Sequence, residues 1–264
     1  MADIDFFPRV ALASLSGESD AGWARQASEY AGCAFLGGIA LDGPTQEAAR
    51  ELVARDREEF LPSGPIEFIE QELAALDDAP LTVGFNVRSA TLGPIREAAA
   101  VCREHGAIIE INAHCRQDEM CAAKAGETLL KDTDRLSEYV RVASETGATT
   151  SVKVRAEVAG VDLPETATRV SEAGADIVHV DAMDSERRIR AIVDTSNAFV
   201  VANNGVRDRE TVREYLSYGA DAVSVGRPSD NPRVLSRVCE AATEWFDEKG
   251  MEKGQKEVER RAET

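Results

Sequence analysis

The stretches DIVHVD (176–181), AFVVAN (198–203) and DAVSVG (221–226) decide the fold. Each is a short run of β-branched and apolar residues that ends in a polar residue or a glycine, and sequence of helical spacing fills the intervals between them. Strands that alternate with helices pair in parallel, because each crossover helix returns the chain to the same edge of the sheet. These three units therefore predict part of a parallel α/β sheet.

Five further runs of the same kind precede these three, which makes eight predicted strands. They are RVALAS (9–14), CAFLGGI (33–39), LTVGFNV (81–87), AIIEIN (107–112) and TSVKVR (150–155). Eight strand–helix units in 264 residues favour a closed (β/α)8 TIM barrel as a single domain. A doubly wound open sheet has a similar periodicity and is the alternative. We expect residues 1–235 to form the barrel, and residues 236–264 to form a C-terminal helix with a charged, disordered tail.

Composition limits the location and the partners. No run approaches the ~18 apolar residues of a membrane-spanning helix, and the start MADIDFFPRV resembles no targeting signal, so we expect a cytoplasmic protein without membrane contact. The five cysteines are odd in number and lack the close pairing of zinc sites, so we expect no disulfide and no metal. The net charge of −18, with only six lysines, is typical of an acidic protein from a salt-rich cytosol. It disfavours nucleic acid, although strong salt would screen the repulsion.

Residues 42–64 form a connection that is long for a barrel. Their spacing predicts a short helix at the barrel mouth. The segment is either a lid or a solvated insertion without a role.

Polar side chains gather at the ends of the predicted strands, where TIM barrels place their active sites. After strands three to six these are Asn86, Arg88, Asn112, His114, Cys115, Lys153, Arg155, His179 and Asp181. Lys153 lies between valines in a chain with no lysine before residue 124. It either stabilises negative charge on a reduced flavin or pairs with an acid such as Asp181. His179 is either a ligand contact or a satisfied core histidine.

The last two strand ends predict a phosphate site. Asn204 and Gly205 follow the seventh strand, and Gly226 and Arg227 follow the eighth. Glycines let backbone N–H groups approach an anion, and an arginine adds a charged fork. The alternative is that both glycines serve only as turn residues.

Cys115 lies just past the fourth strand, in EINAHCRQDEM (110–120). At that position its thiol could face a ligand and deliver a proton, with Cys121 as the close rival. An inert loop cysteine is the alternative. Cys33, Cys102 and Cys239 lie in apolar contexts and are interpreted as packing residues.

Six ordered motifs between residues 10 and 235 resemble the flavin-dependent tRNA dihydrouridine synthases and, more closely, the shorter archaeal barrel proteins related to them. The motifs are ALASLSGESD (11–20), INAHCRQDEM (111–120) with the helix after it, SVKVR (151–155), IVHVDAMD (177–184), VANNGV (201–206) and GADAVSVGRPSDNP (219–232).

The resemblance implies an FMN-dependent oxidoreductase that passes hydride from the reduced flavin to a uracil-type C=C bond. Its implied proton donor is Cys115. The implied cofactor contacts are Ala13, Leu15, Lys153, His179, Asn204, Gly205, Gly226 and Arg227, and the expected substrate contacts are Asn86, Asn112, His114 and Arg155. Reduced nicotinamide is the implied electron donor and tRNA the implied partner.

The sequence departs from the family pattern at three places. His114 and Arg116 flank the cysteine where the family has glycine and proline, and Gly84 stands where the family has glutamine. After Asn231 we also expect too few residues for the helical tRNA-binding domain. Two alternatives therefore accompany tRNA reduction: an FMN-dependent enzyme acting on a small pyrimidine or a dihydroorotate-like acid, and a barrel that binds a phosphate ligand without redox chemistry.

Overall fold

A computed structural model describes residues 4–183 and 185–262, without the side chains of residues 252–262. The strands in this part of the chain are β1 (Val10–Leu12), β2 (Cys33–Ala40), β3 (Thr82–Arg88), β4 (Ile108–Asn112), β5 (Thr149–Arg155), β6 (Ile177–Asp181), β7 (Phe199–Asn203) and β8 (Ala222–Val225).

Helices connect the strands throughout. They are α1 (Ala21–Gln26), α2 (Gly43–Val53), α3 (Pro65–Ala74), α4 (Leu92–Glu104), α5 (Asp118–Ala122), α6 (Glu127–Leu130), α7 (Thr133–Ser144), α8 (Leu163–Glu172), α9 (Arg188–Thr195), α10 (Arg209–Ser217) and α11 (Pro232–Ala262), with a 3₁₀ helix (Arg227–Asp230) after β8. The prediction of a disordered tail falls largely on residues whose side chains are outside the described set, and it stays a prediction.

The sheet closes on itself in sequence order. Every neighbouring pair is parallel, and β1 completes the ring by pairing with β8, with Leu12 opposite Val225. A closed ring leaves no sheet edge, which excludes the open-sheet alternative. The predicted (β/α)8 barrel and its single domain are confirmed.

Aspartate side chains begin five of the described helices. Asp20, Asp42, Asp132, Asp162 and Asp208 each accept a hydrogen bond from the backbone N–H three residues on. Such caps satisfy donors that the first helical turn leaves free, and their negative charge is favourable at that end of the helix dipole. Part of the acidic composition thus has a structural use.

The barrel interior is divided along its axis. Near the amino ends of the strands it is filled by apolar side chains, namely Phe6, Ala11, Cys33, Phe35, Ile108, Ile177, Val201 and Ala222. Two residues further along β4 and β6, the same inward face carries Glu110 and His179, both fully buried. The polar half of the barrel therefore lies toward the carboxyl ends, where the cavity opens.

None of the helices among the described residues is long and apolar enough to cross a bilayer.

Gly84 offers a test of how tightly the lower half of the barrel is packed. A Cβ there would lie 2.5 Å from a ring carbon of Phe35, which is itself buried. We expect Gly84→Ala to lower the free energy of unfolding by about 1–3 kcal/mol, because the methyl group overpacks the core. Urea unfolding followed by circular dichroism measures this difference.

The matched control is Gly93→Ala, because Gly93 lies in α4 and a Cβ there meets nothing within 4 Å. Alanine favours a helix over glycine, so this variant should be unchanged or more stable by about 0.5–1 kcal/mol. Equal stability of the two variants would contradict the close packing at Gly84.

Candidate active site

A cavity of about 820 Å³ opens at the carboxyl ends of the strands. Its wall is built from residues that follow β1, β4, β5, β6, β7 and β8, and from residues 56–59 after α2. The connection at residues 42–64 therefore contains the predicted helix and reaches the barrel mouth. Whether it opens and closes as a lid stays a prediction.

Glu110 is the centre of a hydrogen-bonded network beneath this cavity. Its carboxylate accepts from Asn86 Nδ2 at 2.7 Å, from His179 Nδ1 at 2.7 Å and from Ser151 Oγ at 3.1 Å. Burial alone would raise the pKa of Glu110, but His179, the hydrogen bonds and the Lys153 ammonium together lower it to about 2. Glu110 is therefore ionised inside the barrel.

The network continues across the barrel through His179. Because a carboxylate only accepts, Nδ1 carries the proton toward Glu110, and Nε2 accepts from Ser224 Oγ at 2.7 Å. Asn203 Nδ2 in turn donates to Ser224 Oγ at 2.7 Å. Burial lowers the pKa of His179 in spite of Glu110, which favours the neutral ring.

Asn86 and His179 lie below the cavity floor. Both are fully buried, and both have their polar atoms bonded to protein groups: Asn86 Oδ1 accepts from Asn112 Nδ2 at 2.9 Å. Neither is on the cavity wall. The direct ligand contacts expected for them from the sequence would require these hydrogen bonds to break. In this geometry Asn86 and His179 support the residues of the cavity floor.

Lys153 lies on the cavity wall although it is only 3% exposed. It stands beside Asn112 and His179 in the register of β4, β5 and β6. Burial lowers the pKa of Lys153, while Glu110 and Asp181 oppose that shift. The structure thus offers one buried cation to any ligand that reaches the floor.

The loop that carries Cys115 is fixed from both sides. Asn112 Oδ1 accepts from Cys115 N at 2.9 Å and from His114 N at 3.2 Å. The Cys115 carbonyl accepts from Glu127 N at 2.8 Å, and at Gly126, with φ of 61°, a Cβ would lie 2.3 Å from that carbonyl oxygen. Asn112 therefore acts on the loop that it precedes, and Cys115 lies on the cavity wall.

Two wall residues present polar atoms that the described protein does not satisfy. His114 Nδ1 and Arg155 Nε are buried without a hydrogen-bond partner in the described part of the chain. His114 Nε2 is 3.7 Å from Asp181 Oδ2, and the ion pair of Arg155 with Glu127 is long, with Nη1 4.0 Å from Oε2. Burial and the nearby cations Lys153 and Arg155 hold the pKa of His114 well below its usual value.

The predicted phosphate site also lies on the wall. Asn204 and Gly205 have φ of 86° and 71°, and the Cβ positions of Gly205 and Gly226 face open space. Asn204 is held by its Nδ2, which donates to Asp181 Oδ1 at 2.9 Å, and by its carbonyl, which accepts from Tyr215. Arg227 is exposed at the rim.

The structure thus brings most of the predicted site residues to one cavity. Those on its wall are Ala13, Leu15, His114, Cys115, Lys153, Arg155, Asn204, Gly205, Gly226 and Arg227. Sequence reasoning missed Glu110, although a carboxylate between Ile109 and Ile111 in a buried strand was a usable signal. It also missed Glu59, which forms a buried ion pair with Arg88.

The family model described as dihydrouridine synthase (Dus) matches residues 70–261. The chain belongs to the dihydrouridine synthase family. This confirms the resemblance drawn from the sequence and supports the prediction of a flavin-dependent oxidoreductase. The match spans β3 to α11 and so includes the Cys115 loop, Lys153 and the predicted phosphate site.

One relative is an uncharacterised protein of the archaeon Methanocaldococcus jannaschii. It is 27% identical over 259 residues, which cover 92% of this chain and 94% of the relative.

Solved structures show the same fold. DHODH from Eimeria tenella in complex with ferulenol has a TM-score of 0.67 at 15% identity, over 94% of this chain and 84% of that one. FabK from Thermotoga maritima has a TM-score of 0.56 at 15% identity, over 84% of this chain and 58% of that one. A chain of the tryptophan synthase complex from Pyrococcus furiosus has a TM-score of 0.55 at 14% identity, over 90% and 97%. At these identities the similarity concerns the barrel alone.

We expect Glu110→Gln to lower the free energy of unfolding at pH 7 by roughly 3–5 kcal/mol, because the new amide removes the buried charge and replaces one acceptor oxygen by an NH2 group that faces other donors. The folded-state pKa of Glu110 lies below its usual value of 4.5. Its stabilising contribution is therefore present above pH 4.5 and is lost as the pH falls toward 2. The difference between parent and variant should narrow between pH 7 and pH 3 in urea titrations.

The control is Glu145→Gln, which removes an exposed ion pair with Arg96 and should cost less than about 1 kcal/mol. A difference for Glu110→Gln that does not change with pH would show that the carboxylate charge is not what stabilises the network.

Proposed function

We propose that this protein is an FMN-dependent reductase that acts on the C=C bond of a uracil-type ring, with Cys115 as the proton donor. The observation that carries the proposal is that Cys115, Lys153 and the phosphate site line one cavity. Reduced nicotinamide is the proposed electron donor and the cytoplasm the proposed location.

The residues present fit a flavin mononucleotide. Cavities of roughly 300–1,000 Å³ accept ligands of this size. The open faces of Gly205 and Gly226 leave backbone room for a phosphate, and Arg227 adds a positive charge at the rim. Ala13 and Leu15 form the adjacent part of the wall after β1, where Ala13 N donates to Val225 O at 2.8 Å and Leu15 N donates to Ser19 Oγ at 2.9 Å. Bound and reduced, the flavin would supply a hydride.

The remaining chemistry belongs to the protein. Lys153 is placed to stabilise negative charge on the cofactor, and Glu110 and His179 hold the floor against which Lys153 lies. Cys115 would give its proton to the carbon next to the one that receives hydride, and water would then restore the thiol. Asn112 keeps the Cys115 loop in place. His114 and Arg155 line the same cavity and are the proposed contacts for the carbonyl oxygens of the ring.

In the first candidate function the uracil-type ring belongs to tRNA. A second candidate function keeps the flavin as cofactor, but its substrate is a small pyrimidine or a dihydroorotate-like acid. What favours it is the charge of the cavity wall: six basic side chains and five acidic ones lie among the described lining residues, against 30 and 48 in the whole chain. A gel shift with unmodified tRNA, together with reoxidation of the reduced protein by orotate or uracil, separates the two substrates. A protein purified without a flavin absorbance band would instead favour the phosphate-binding barrel without redox chemistry.

We expect the purified protein to be yellow and Arg227→Ala to bind FMN about ten- to a hundredfold more weakly, since loss of a charge-assisted phosphate contact costs roughly 1.5–3 kcal/mol. Fluorescence titration of the flavin-free protein with FMN measures the affinity. Arg233→Ala is the control, because Arg233 is exposed near the start of α11 and is not on the cavity wall. Equal affinities in both variants would remove Arg227 from the site.

We expect Cys115→Ala to keep the flavin spectrum and its chemical reduction, because the thiol is assigned to the substrate. Reoxidation of the reduced flavin by substrate should slow by about 10²–10⁴, which is the usual contribution of a proton donor. Stopped-flow absorbance follows this step. Cys121→Ala is the matched control, since Cys121 is close by but not on the cavity wall. Reoxidation of Cys115→Ala at the parental rate would exclude the proposed role.

A further inference from the structure

Arg88 is among the largest fully buried side chains of the barrel. It ends β3, and its guanidinium forms a two-pronged ion pair with Glu59, including Nη1 to Oε1 at 3.2 Å. Nη2 also donates to the carbonyl oxygen of Gly38. The side chains of Arg88 and Glu59 are 1% and 3% exposed, so this pair is shielded from solvent.

One nitrogen of this guanidinium has no hydrogen-bond partner among the described residues. Nε of Arg88 is buried and meets no acceptor at hydrogen-bonding geometry in the described part of the chain. The Cys115 side chain lies beside this ion pair: Cys115 and Glu59 line the same cavity, and Cys115 packs against the apolar cluster that contains Ala40, the register partner of Arg88 on β2. Burial disfavours the charged guanidinium, yet Glu59 and then Cys115 raise the pKa of Arg88, so the charge persists in the buried site.

Cys115 itself cannot move far from Arg88. Its backbone N–H is bonded to Asn112 and its carbonyl to Glu127 N, while the Cys121 thiol approaches that carbonyl at 3.8 Å. The charged and titratable groups around it are Arg88 from β3, Cys121 from α5, Glu127 from α6, and its neighbours His114 and Arg116. Glu127 is engaged with Lys131 at 2.5 Å, so its carboxylate is partly neutralised.

We propose that Arg88 is a positioning residue that stabilises negative charge on the Cys115 sulfur, and that Glu59 sets the strength of this effect by neutralising part of the Arg88 charge. The inference rests on the proposed proton-donor role of Cys115. In that step the S–H bond breaks and its electron pair stays on sulfur, while a C–H bond forms with the electron pair of the substrate carbon. A bound, reduced flavin would supply the hydride for the neighbouring carbon. The thiolate left behind faces Arg88 until water returns a proton.

The proposal predicts opposite effects for the two members of one ion pair. Glu59→Gln keeps the shape of the side chain but frees the Arg88 charge, so it should favour the thiolate. The double variant Arg88→Met/Glu59→Met removes both charges without stranding either of them, so it should disfavour the thiolate. A purely structural role would loosen the Cys115 loop in both variants and change the thiol in the same direction.

The rate at which iodoacetamide alkylates Cys115 measures the thiolate fraction without substrate. The full-length protein, saturated with FMN, is pulse-labelled between pH 6 and pH 10 and digested with trypsin, which separates Cys115 (residues 104–116) from Cys121 (residues 117–124). In the double variant we expect labelling of Cys115 at pH 7 to be about tenfold slower and the half-maximal rate to move up by about one pH unit, since one unit of pH changes the thiolate fraction tenfold. In Glu59→Gln both changes should have the opposite sign.

Two internal controls accompany the measurement. Labelling of Cys121 should stay within about twofold of the parent in every variant, because the main charged neighbours of Cys121 are Cys115, Glu127, Lys131 and Asp118, and neither Arg88 nor Glu59 is among them. Arg55→Met breaks the ion pair with Glu119 that joins the same mouth segment to α5, and it should leave the Cys115 profile unchanged.

Superimposable Cys115 profiles, or shifts of both variants in one direction, would overturn the inference. The outcome is independent of turnover. If Cys115→Ala reduced its substrate at the parental rate while the opposite shifts were observed, the proton-donor role would be wrong and the influence of Arg88 on the Cys115 sulfur would stand.

Discussion

The ionised carboxylate of Glu110 is the constraint on which the rest of the site depends. A charge inside a barrel is tolerated only if hydrogen bonds and opposite charges replace the lost water. Here the replacement comes from Asn86 on β3, Ser151 on β5 and His179 on β6, so one side chain of β4 is bonded to both neighbouring strands and to the strand beyond one of them. His179 extends the constraint to Ser224 on β8, and Asn203 on β7 joins it there.

The same network reaches the Cys115 loop through two amides. Asn86 uses one end for Glu110 and the other for Asn112, and Asn112 then accepts from the backbone of Cys115. Rotation of either amide would cost buried hydrogen bonds, so the positions of Glu110 and Cys115 are coupled. Lys153 feels the same carboxylate electrostatically. The floor, the buried cation and the thiol are therefore parts of one arrangement and not separate features of neighbouring loops.

Much of the fold could be predicted from the sequence, because strand periodicity and helix ends are local signals. The fourth strand was predicted at 107–112 and is Ile108–Asn112, and the seventh was predicted at 198–203 and is Phe199–Asn203. Depth within the barrel is not a local signal. Asn86 and His179 stand near strand ends, yet both are fully buried and neither lines the cavity. Arg88 and Glu59 are 29 positions apart in the sequence, and they meet only in the folded barrel.

The charge of the cavity has to be considered apart from the charge of the whole protein. The net charge of −18 resides largely on exposed side chains, whose field falls off within about 8 Å at physiological salt. Inside the cavity, Lys153 is almost completely buried and Arg155 is 11% exposed at its side chain, so water and salt screen them much less. A ligand at the floor therefore experiences the local cations more strongly than the distant acids. An acidic surface and an anion-binding cavity are compatible in one chain, and the surface charge by itself does not exclude an anionic substrate that enters this cavity.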